Sequence, residues 1–282
     1  MITSRQNRRL KDIRRLRRSK GNRSGELLLE GPHLVAAALD AGLELREVFV
    51  TARFLERADA GGLLSRLSPT PITEVSPPLL DELADADAPR GLVAIAAARR
   101  DDTRRGLRQG GPVLFLDRIQ DPGNLGAVAR VAEAAGAAGL CLGPGTVDPA
   151  HPRALRASAG SLLRLPVLEG ADRTAVRRHL DAPLPWVLLS SADGEDLYRT
   201  DLPERLVLLL GSEGTGVSAE LARSADLRIR VPMAPPVESL NVAVAAGVVL
   251  FELVRRRQQA AEPAAVGTHE RRPAHTTASD GE

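Results

Sequence analysis

The stretch from Pro112 to Ala137, "PVLFLDRIQDPGNLGAVARVAEAAGA", decides the fold class. It opens with a short apolar run, passes through a Pro-Gly turn and becomes a helix rich in alanine and valine. A buried strand followed directly by a helix is the repeating unit of parallel α/β sheets. The same alternation continues to residue 257, so we predict a mostly parallel sheet with helices on both faces.

Asn124 and Arg130 are polar side chains in a helix made mostly of Ala, Val, Leu and Gly. Ligands of parallel α/β proteins bind at the carboxyl ends of the strands, which makes both residues candidates for an active site. Two ordinary explanations compete with that hypothesis. Asparagine is a frequent helix N-cap, and arginine is a good helix former on a solvent-facing side. The other motifs of the chain are needed to decide between the active-site hypothesis and these two explanations.

The composition pattern divides the chain into four parts. Residues 1–98 alternate helix and strand signals and predict a small α/β domain. Residues 99–111, "RRDDTRRGLRQGG", are charged and free of apolar periodicity, which predicts a linker. Residues 112–257 form the larger α/β domain, and residues 258–282 have the aperiodic polar composition of a disordered tail.

The distribution of charge points to a polyanionic partner. The net charge of the 282 residues is only +2, but residues 4–25 are dense in arginine and lysine, with Asp12 alone against them. Such a cluster is typical of nucleic-acid binding, although a solvated terminus is the simpler alternative. Aromatic residues make up 2% of the chain, so contacts with RNA would depend on charge and hydrogen bonds more than on stacking.

The remaining composition bounds the cellular setting. A single cysteine, Cys141, excludes an intrachain disulfide and fits a reducing compartment. The chain lacks both a signal-peptide pattern and an apolar run long enough to span a bilayer, so we expect a cytoplasmic protein without membrane contact. The five histidines are scattered, and no metal site is expected.

Two further loops at predicted strand ends have unusual compositions. "GSEGTGVS", Gly211–Ser218, holds three glycines that allow close backbone approach to a ligand, although a plain glycine turn is possible. It is neither a Walker A loop nor a dinucleotide fingerprint, since no Lys-Ser/Thr pair follows and Glu213 would repel a pyrophosphate. In "VPMAPPVESLNVAVAAG", prolines stiffen the loop, Ser239 is predicted to cap the next helix, and Asn241 falls in its first turn.

Together, "NLGAVAR", "LLLGSEGTGVS" and "IRVPMAPPVESLNVAVAAGVVLFE" resemble the three signature motifs of the SpoU/TrmH branch of SPOUT RNA methyltransferases. The resemblance covers residues 112–257; each motif is modest alone, but the three in this order and spacing are highly specific. The stretch "LLLEGPHLVAAALDAG" resembles the ribosomal-protein-like substrate-binding domain that often precedes this catalytic domain.

The resemblance implies a fold, an activity and a partner. The fold is a catalytic domain with a deep C-terminal trefoil knot, which is an exception to the rule that chains do not thread. The activity is transfer of a methyl group from S-adenosylmethionine to a ribose 2′-oxygen, in large-subunit rRNA by preference over tRNA. Two knots pack together and build each site, so a homodimer is expected, and no metal is needed.

The resemblance also assigns residues. Arg130 is implied as the catalytic arginine, acting either as a general base or as a group that binds phosphate and stabilises the developing alkoxide. The residues expected to hold Arg130 and the ribose in place are Asn124, Glu213, Ser239 and Asn241. The residues expected to contact the cofactor are Leu210, Gly211, Val231, Met233 and Leu240.

Two other classes of protein are alternatives to this interpretation. A non-catalytic RNA-binding protein of the same fold is predicted to lose Asn124, Arg130 or Asn241, and all three are present. An α/β oxidoreductase needs a phosphate-binding glycine loop after its first strand, and "PGNLG" lacks that spacing.

Overall fold

The computed structural model describes residues 1–18, 25–57, 61–84, 90–98, 107 and 110–261. They form two sheets, one in the amino-terminal part and one in the larger part. The smaller sheet has the order β1-β4-β2-β3; β4 is antiparallel to both β1 and β2, and β2 and β3 are parallel. Its strands are β1 (Glu26–Glu30), β2 (Leu45–Val50), β3 (Ile72–Glu74) and β4 (Leu92–Ala97). The helices described around it are α1 (Arg8–Arg18), α2 (Pro32–Asp40), α3 (Ala52–Leu55), α4 (Gly61–Arg66) and α5 (Pro77–Leu83).

Helix α1 carries the basic run and is anchored to this small domain. Its apolar residues Leu10, Ile13 and Leu16 are buried in one cluster with side chains of the sheet. Several of its arginines pair with acidic residues of the same domain; Arg14 lies 3.5 Å from Glu82, for example. This helix is therefore a folded element, and three of its arginines are ion-paired within the domain. Residues 19–24 of the basic run lie outside the described residues.

The larger sheet confirms the predicted α/β class. Its seven strands are all paired in parallel, in the order β7-β6-β5-β10-β8-β11-β9. They are β5 (Val113–Asp117), β6 (Gly139–Leu142), β7 (Val167–Leu168), β8 (Trp186–Leu189), β9 (Glu195–Asp196), β10 (Val207–Gly211) and β11 (Leu227–Arg230). The central strands β5 and β10 end side by side, with Asp117 opposite Gly211. This register brings the loops of the first two motifs to one edge of the sheet.

Six helices are described in this larger domain: α6 (Pro122–Ala134), α7 (Pro152–Ala157), α8 (Ser161–Arg164), α9 (Arg173–His179), α10 (Ala219–Arg223) and α11 (Val242–Ala261). The sequence predicted one helix over "PRALRASAGSLL", but the structure breaks it into α7 and α8. Ala159 and Gly160 stand between them with φ values of 48° and 92°, a left-handed conformation that no α-helix continues through. Helix α11 also runs past residue 257, so the first residues of the expected tail are helical, while residues 262–282 lie outside the described residues.

One residue of the predicted linker, Leu107, packs against the larger domain. Most of residues 99–111 lie outside the described residues, but Leu107 is fully buried in a cluster with core side chains of the larger sheet. The two domains also share one continuous cluster of buried apolar side chains, with Ala37 from the small domain and Leu155 from the large one. Over the part of the chain that is described, the domains are docked against each other.

The described ranges were searched for membrane-spanning helices and for metal-binding groups. No helix within them is long and apolar enough to cross a bilayer. They also contain no group of three or more His, Cys, Asp or Glu side chains placed to hold a metal ion. Cys141 is buried, and this burial raises the pKa of its thiol to about 12.

Candidate active site

The start of helix α6 shows whether Asn124 is the N-cap of that helix. Asp121 is the N-cap, and its Oδ1 accepts a hydrogen bond of 2.9 Å from the backbone N–H of Asn124. Pro122 follows at the first helical position, where its missing N–H is harmless. The alternative that Asn124 is an ordinary N-cap is therefore wrong. Its side chain is free for another task.

That side chain joins a hydrogen-bonded cluster built from all three motifs. Asn124 Nδ2 donates to Glu213 Oε1 at 2.9 Å. Asn241 Nδ2 lies 2.9 Å from the same Glu213 oxygen and 2.9 Å from Asn124 Oδ1. The three residues are far apart in the sequence. Asn124 and Glu213 meet because strands β5 and β10 end side by side, and the loop before α11 brings Asn241 to them. We call them the polar triad.

The glycine loop after β10 is held in a tight, specific shape. A Cβ on Gly211 would collide with the backbone of Gly216 and Val217, so only glycine fits there. Ser212 Oγ lies 2.8 Å from Thr215 Oγ1 and closes the loop. The buried carboxylate of Asp117, at the end of β5, accepts a 2.7 Å hydrogen bond from the backbone N–H at the far end of the loop.

A cavity of about 430 Å³ opens beside the polar triad. It is formed by the glycine loop, the loop after β8 and the proline-rich loop before α11. Glu213 and Ser239 line the cavity. So do all five residues expected to contact the cofactor, which are Leu210, Gly211, Val231, Met233 and Leu240. Apolar side chains and glycine backbone groups suit the uncharged adenosine part of S-adenosylmethionine, so the residues present fit that cofactor.

Asn241, and not Ser239, caps the last helix. The sequence placed Ser239 at the N-cap of the last helix, but the helix begins at Val242. Asn241 Oδ1 accepts a 3.0 Å hydrogen bond from the N–H of Ala243, so Asn241 is the capping residue. Its amide nitrogen is left to bind Glu213. One side chain therefore both begins the helix and completes the polar triad.

Arg130 stands apart from the polar triad and from the cavity. It lies about one and a half turns beyond Asn124 on α6 and is exposed. Within the described part of the chain it makes no hydrogen bond or ion pair, and it does not line the cavity. Its guanidinium is therefore available to a ligand outside the chain.

The loop after β8 contributes residues that the sequence analysis missed. Ser190 and Asp193 line the cavity, and Ser190 Oγ donates to Asp193 Oδ1 at 2.6 Å. Arg228 Nη1 lies 2.9 Å from the other oxygen of Asp193. The Ser190 hydroxyl and the Arg228 guanidinium together lower the pKa of the Asp193 carboxyl. The signal was available, since "SSADG" is a polar loop at the carboxyl end of a parallel strand.

Arg118 is a second residue that the sequence analysis missed. It follows β5 directly and has a φ of 57°, which is rare for any residue except glycine. Its Nη2 lies 3.4 Å from the carbonyl oxygen of Gly216, so its side chain packs against the glycine loop. Strained backbone positions of this kind cluster at functional sites.

Comparisons with known proteins agree with this geometry. Residues 111–251 match the model of the SpoU rRNA Methylase family, and residues 7–94 match the MRM3-like substrate binding domain. An uncharacterized tRNA/rRNA methyltransferase of Synechocystis sp. is 36% identical, with 93% of this chain and 96% of that protein covered.

Two relatives with more specific names also match along most of their length. The 23S rRNA (guanosine(2553)-2′-O)-methyltransferase RlmP of Bacillus subtilis is 32% identical, over 89% of this chain and 98% of the relative. The crystal structure of the SpoU methyltransferase AviRb from Streptomyces viridochromogenes, in complex with AdoMet, is 31% identical with a TM-score of 0.79. That match covers 89% of this chain and 98% of AviRb. With its motifs, its parallel sheet and its amino-terminal domain all accounted for, this chain belongs to the SpoU rRNA methylase family.

Proposed function

We propose that this protein transfers a methyl group from S-adenosylmethionine to a ribose 2′-hydroxyl of large-subunit rRNA. The observation that carries the proposal is the polar triad of Asn124, Glu213 and Asn241 beside a cavity lined by glycine backbone. The names of RlmP and of the AdoMet complex of AviRb support both the substrate and the cofactor.

The main task of the protein in this reaction is to position the ribose hydroxyl, because the methyl group is already activated. S-adenosylmethionine, when bound, supplies a methyl group already activated on a sulfonium, so no metal is required. The residues that would hold it are those of the cavity, above all the Gly211 loop with the apolar Val231 and Leu240. What the chain must add is the alignment of the ribose hydroxyl, and alignment alone can contribute about 7–11 kcal/mol.

Arg130 is assigned to the RNA rather than to the removal of a proton. A guanidinium remains protonated in proteins, which makes it a poor general base. We propose that Arg130 binds the phosphate next to the target ribose and stabilises negative charge developing on the 2′-oxygen. Its exposure and lack of partners within the described residues support that role. The polar triad and Ser239 would then position the ribose.

The proposed function is tested by mapping 2′-O-methyl groups in total RNA from cells with and without the gene. We expect one ribose methyl to disappear from large-subunit rRNA when the gene is absent. A methyl lost from tRNA with rRNA unchanged would favour the tRNA alternative. A lost base methyl would contradict the chemistry, and an unchanged map would favour an RNA-binding protein without catalysis.

A second copy of the chain is proposed as a partner. Helix α11 buries one side in the core but exposes Val244 by 53% and Phe251 by 50%. The two are seven residues apart, so they lie on one side of the helix and form an uncovered apolar stripe. Arg130 lies outside the cavity of its own chain, which fits a site built by two chains together.

Light scattering at micromolar concentration is therefore expected to give twice the 30.0 kDa mass of one chain. Phe251→Glu should shift the protein towards the monomer, because a charge would be buried in the interface. Ile72→Glu, at an exposed apolar residue of the small domain, is the matched control and should leave the mass unchanged. A wild-type mass of one chain would contradict the dimer.

The amino-terminal domain is proposed to supply affinity for RNA. Three arginines of α1 are ion-paired within the domain, but Arg8 and Lys11 are exposed and make no ion pair with any described residue. They are the cations of α1 best placed to meet phosphates. We also propose that the catalytic domain contains the trefoil knot of its family and that the protein works in the cytoplasm, a reducing compartment that its single cysteine fits.

A further inference from the structure

A short segment of the larger domain packs against both helix α6 and the small domain. It comprises α7, the turn at Ala159 and Gly160, and α8, and we call residues 152–164 the bracket. The bracket includes the "RASAGS" stretch. None of its residues lines the cavity or belongs to the polar triad. Its contacts therefore need an explanation other than cofactor binding.

One side of the bracket is packed tightly against helix α6, which carries Asn124 and Arg130. Gly126 of α6 has no room for a side chain, because a Cβ there would lie 2.6 Å from the Cβ of Ala157. Farther along α6, Glu133 accepts two hydrogen bonds from Arg164, of 2.6 and 2.7 Å. The bracket and helix α6 are thus joined at two points and should move together.

The other side of the bracket holds the substrate-binding domain. Arg156 Nη1 lies 2.7 Å from Glu30 Oε2 at the end of β1, and the Glu30 side chain is only 1% exposed. Gly160 faces α2 so closely that a Cβ on it would lie 2.5 Å from the Cβ of Ala37. Arg164 is also within electrostatic reach of Asp40 at the end of α2, since Glu133 and, more weakly, Asp40 raise its pKa.

The turn inside the bracket is itself rigid. Ser158 is fully buried, and its Oγ accepts hydrogen bonds from the N–H groups of Gly160 and Leu162, at 3.3 and 3.4 Å. A buried carboxylate such as Glu30 strongly favours the arrangement that keeps its cation. The close contact between Gly160 and Ala37 leaves no room for the two domains to shift against each other. The bracket therefore selects one relative placement of the two domains.

We propose that the bracket sets the distance between the RNA held by the substrate-binding domain and the site at Asn124 and Arg130, and so determines which ribose is methylated. This inference rests on the proposed function. The partner it implies is a folded RNA element that the small domain grips at one place while a ribose at a fixed distance enters the site. Arg156 and Glu30 are positioning residues, because neither touches the reacting groups.

The test compares the wild type with Arg156→Glu, with Glu30→Arg and with the double exchange. We expect kcat/KM for an rRNA fragment to fall by roughly ten- to a hundredfold in each single variant, since small misplacements of a substrate are that costly. Methylation should also spread to neighbouring riboses, while cofactor affinity stays unchanged. The double exchange should restore part of the rate and the original methylation site.

Arg205→Glu is the matched control, because it breaks an ion pair with Asp181 that contacts neither the bracket nor the small domain. It should keep both the rate and the methylation site. If Arg156→Glu does not fold, Arg156→Gln is the milder variant, since it removes the cation beside Glu30 without placing a second negative charge there. Small-angle scattering should show a larger radius of gyration than the wild type for each folded single variant of the Arg156–Glu30 contact, and the wild-type radius for Arg205→Glu.

Two results would overturn the inference. One is a folded variant with separated domains that still methylates only the original ribose at the normal rate. The other is a variant that breaks the Glu30 contact without changing scattering, rate or site. If the wild type methylates no ribose in rRNA, the proposed function fails instead, and the scattering comparison still reports whether the bracket holds the domains together.

Discussion

Arg130→Ala is expected to lower the rate of methyl transfer about a hundred- to a thousandfold, the effect of removing one group that stabilises charge in a transition state. Cofactor affinity should be nearly unchanged, because Arg130 does not line the cavity. Stability should also be unchanged, because the side chain is exposed and makes no hydrogen bond or ion pair within the described residues. Single-turnover transfer to an rRNA fragment and calorimetry with S-adenosylhomocysteine measure the two quantities separately.

Two further variants sharpen this result. Arg130→Lys keeps the positive charge but loses the bidentate guanidinium, so partial activity would support a role in binding phosphate. Arg177→Ala removes an exposed arginine from α9, away from the cavity, and should leave the rate unchanged. Near-normal turnover of Arg130→Ala on its RNA would show that the catalytic assignment is wrong.

Gly211→Ala is expected to abolish cofactor binding. The added methyl group would collide with the backbone of Gly216 and Val217, so the loop that lines the cavity would have to open. Wild-type protein in a hundredfold excess of S-adenosylhomocysteine over its dissociation constant should gain about 2.7 kcal/mol in its free energy of unfolding. The variant should lose that gain, which a thermal-unfolding experiment with and without ligand will detect.

The control for this experiment lies three residues away in the same loop. A Cβ on Gly214 would meet no atom within 4 Å, so Gly214→Ala should unfold at the wild-type temperature without ligand. It should also respond to the ligand far more strongly than Gly211→Ala. Equal ligand responses of the two variants would mean that the close approach at Gly211 has no part in cofactor binding.

The class of fold was predictable because it depends on patterns that repeat along the chain. Apolar runs of strand length alternate with helical segments, an order typical of parallel sheets, and the sheet of the larger domain follows it. The meeting of Asn124 and Glu213 was also within reach, since both follow strands whose carboxyl ends share one edge. Those elements are set by local sequence and by a general rule of topology.

The exact caps of the helices were harder to predict. Asp121 and Asn124 both suit an N-cap, as do Ser239 and Asn241, and propensity does not rank such near neighbours. In each case the choice is made by a tertiary contact. Asn124 reaches Glu213 from inside the first turn of α6, whereas Asn241 reaches it from the cap of α11.

The contacts between the domains could not be predicted at all. Arg156 and Glu30 are 126 residues apart, and nothing in either neighbourhood indicates that they pair. The charge of α1 is a similar case, because the acidic partner Glu82 belongs to a different helix of the same domain. Composition shows how many charges a chain has, but only the fold shows which of them are already paired.

The pairing of β5 with β10 has a consequence for the order in which the chain folds during synthesis. The small sheet needs nothing beyond Ala97, so it can form while the ribosome is still making the rest of the protein. The centre of the large sheet cannot close until Gly211 has emerged, and such non-local parallel pairing is slow. The finished amino-terminal domain is therefore already present when the catalytic half assembles, and it offers Glu30 and Ala37 as a surface on which the later segments can settle.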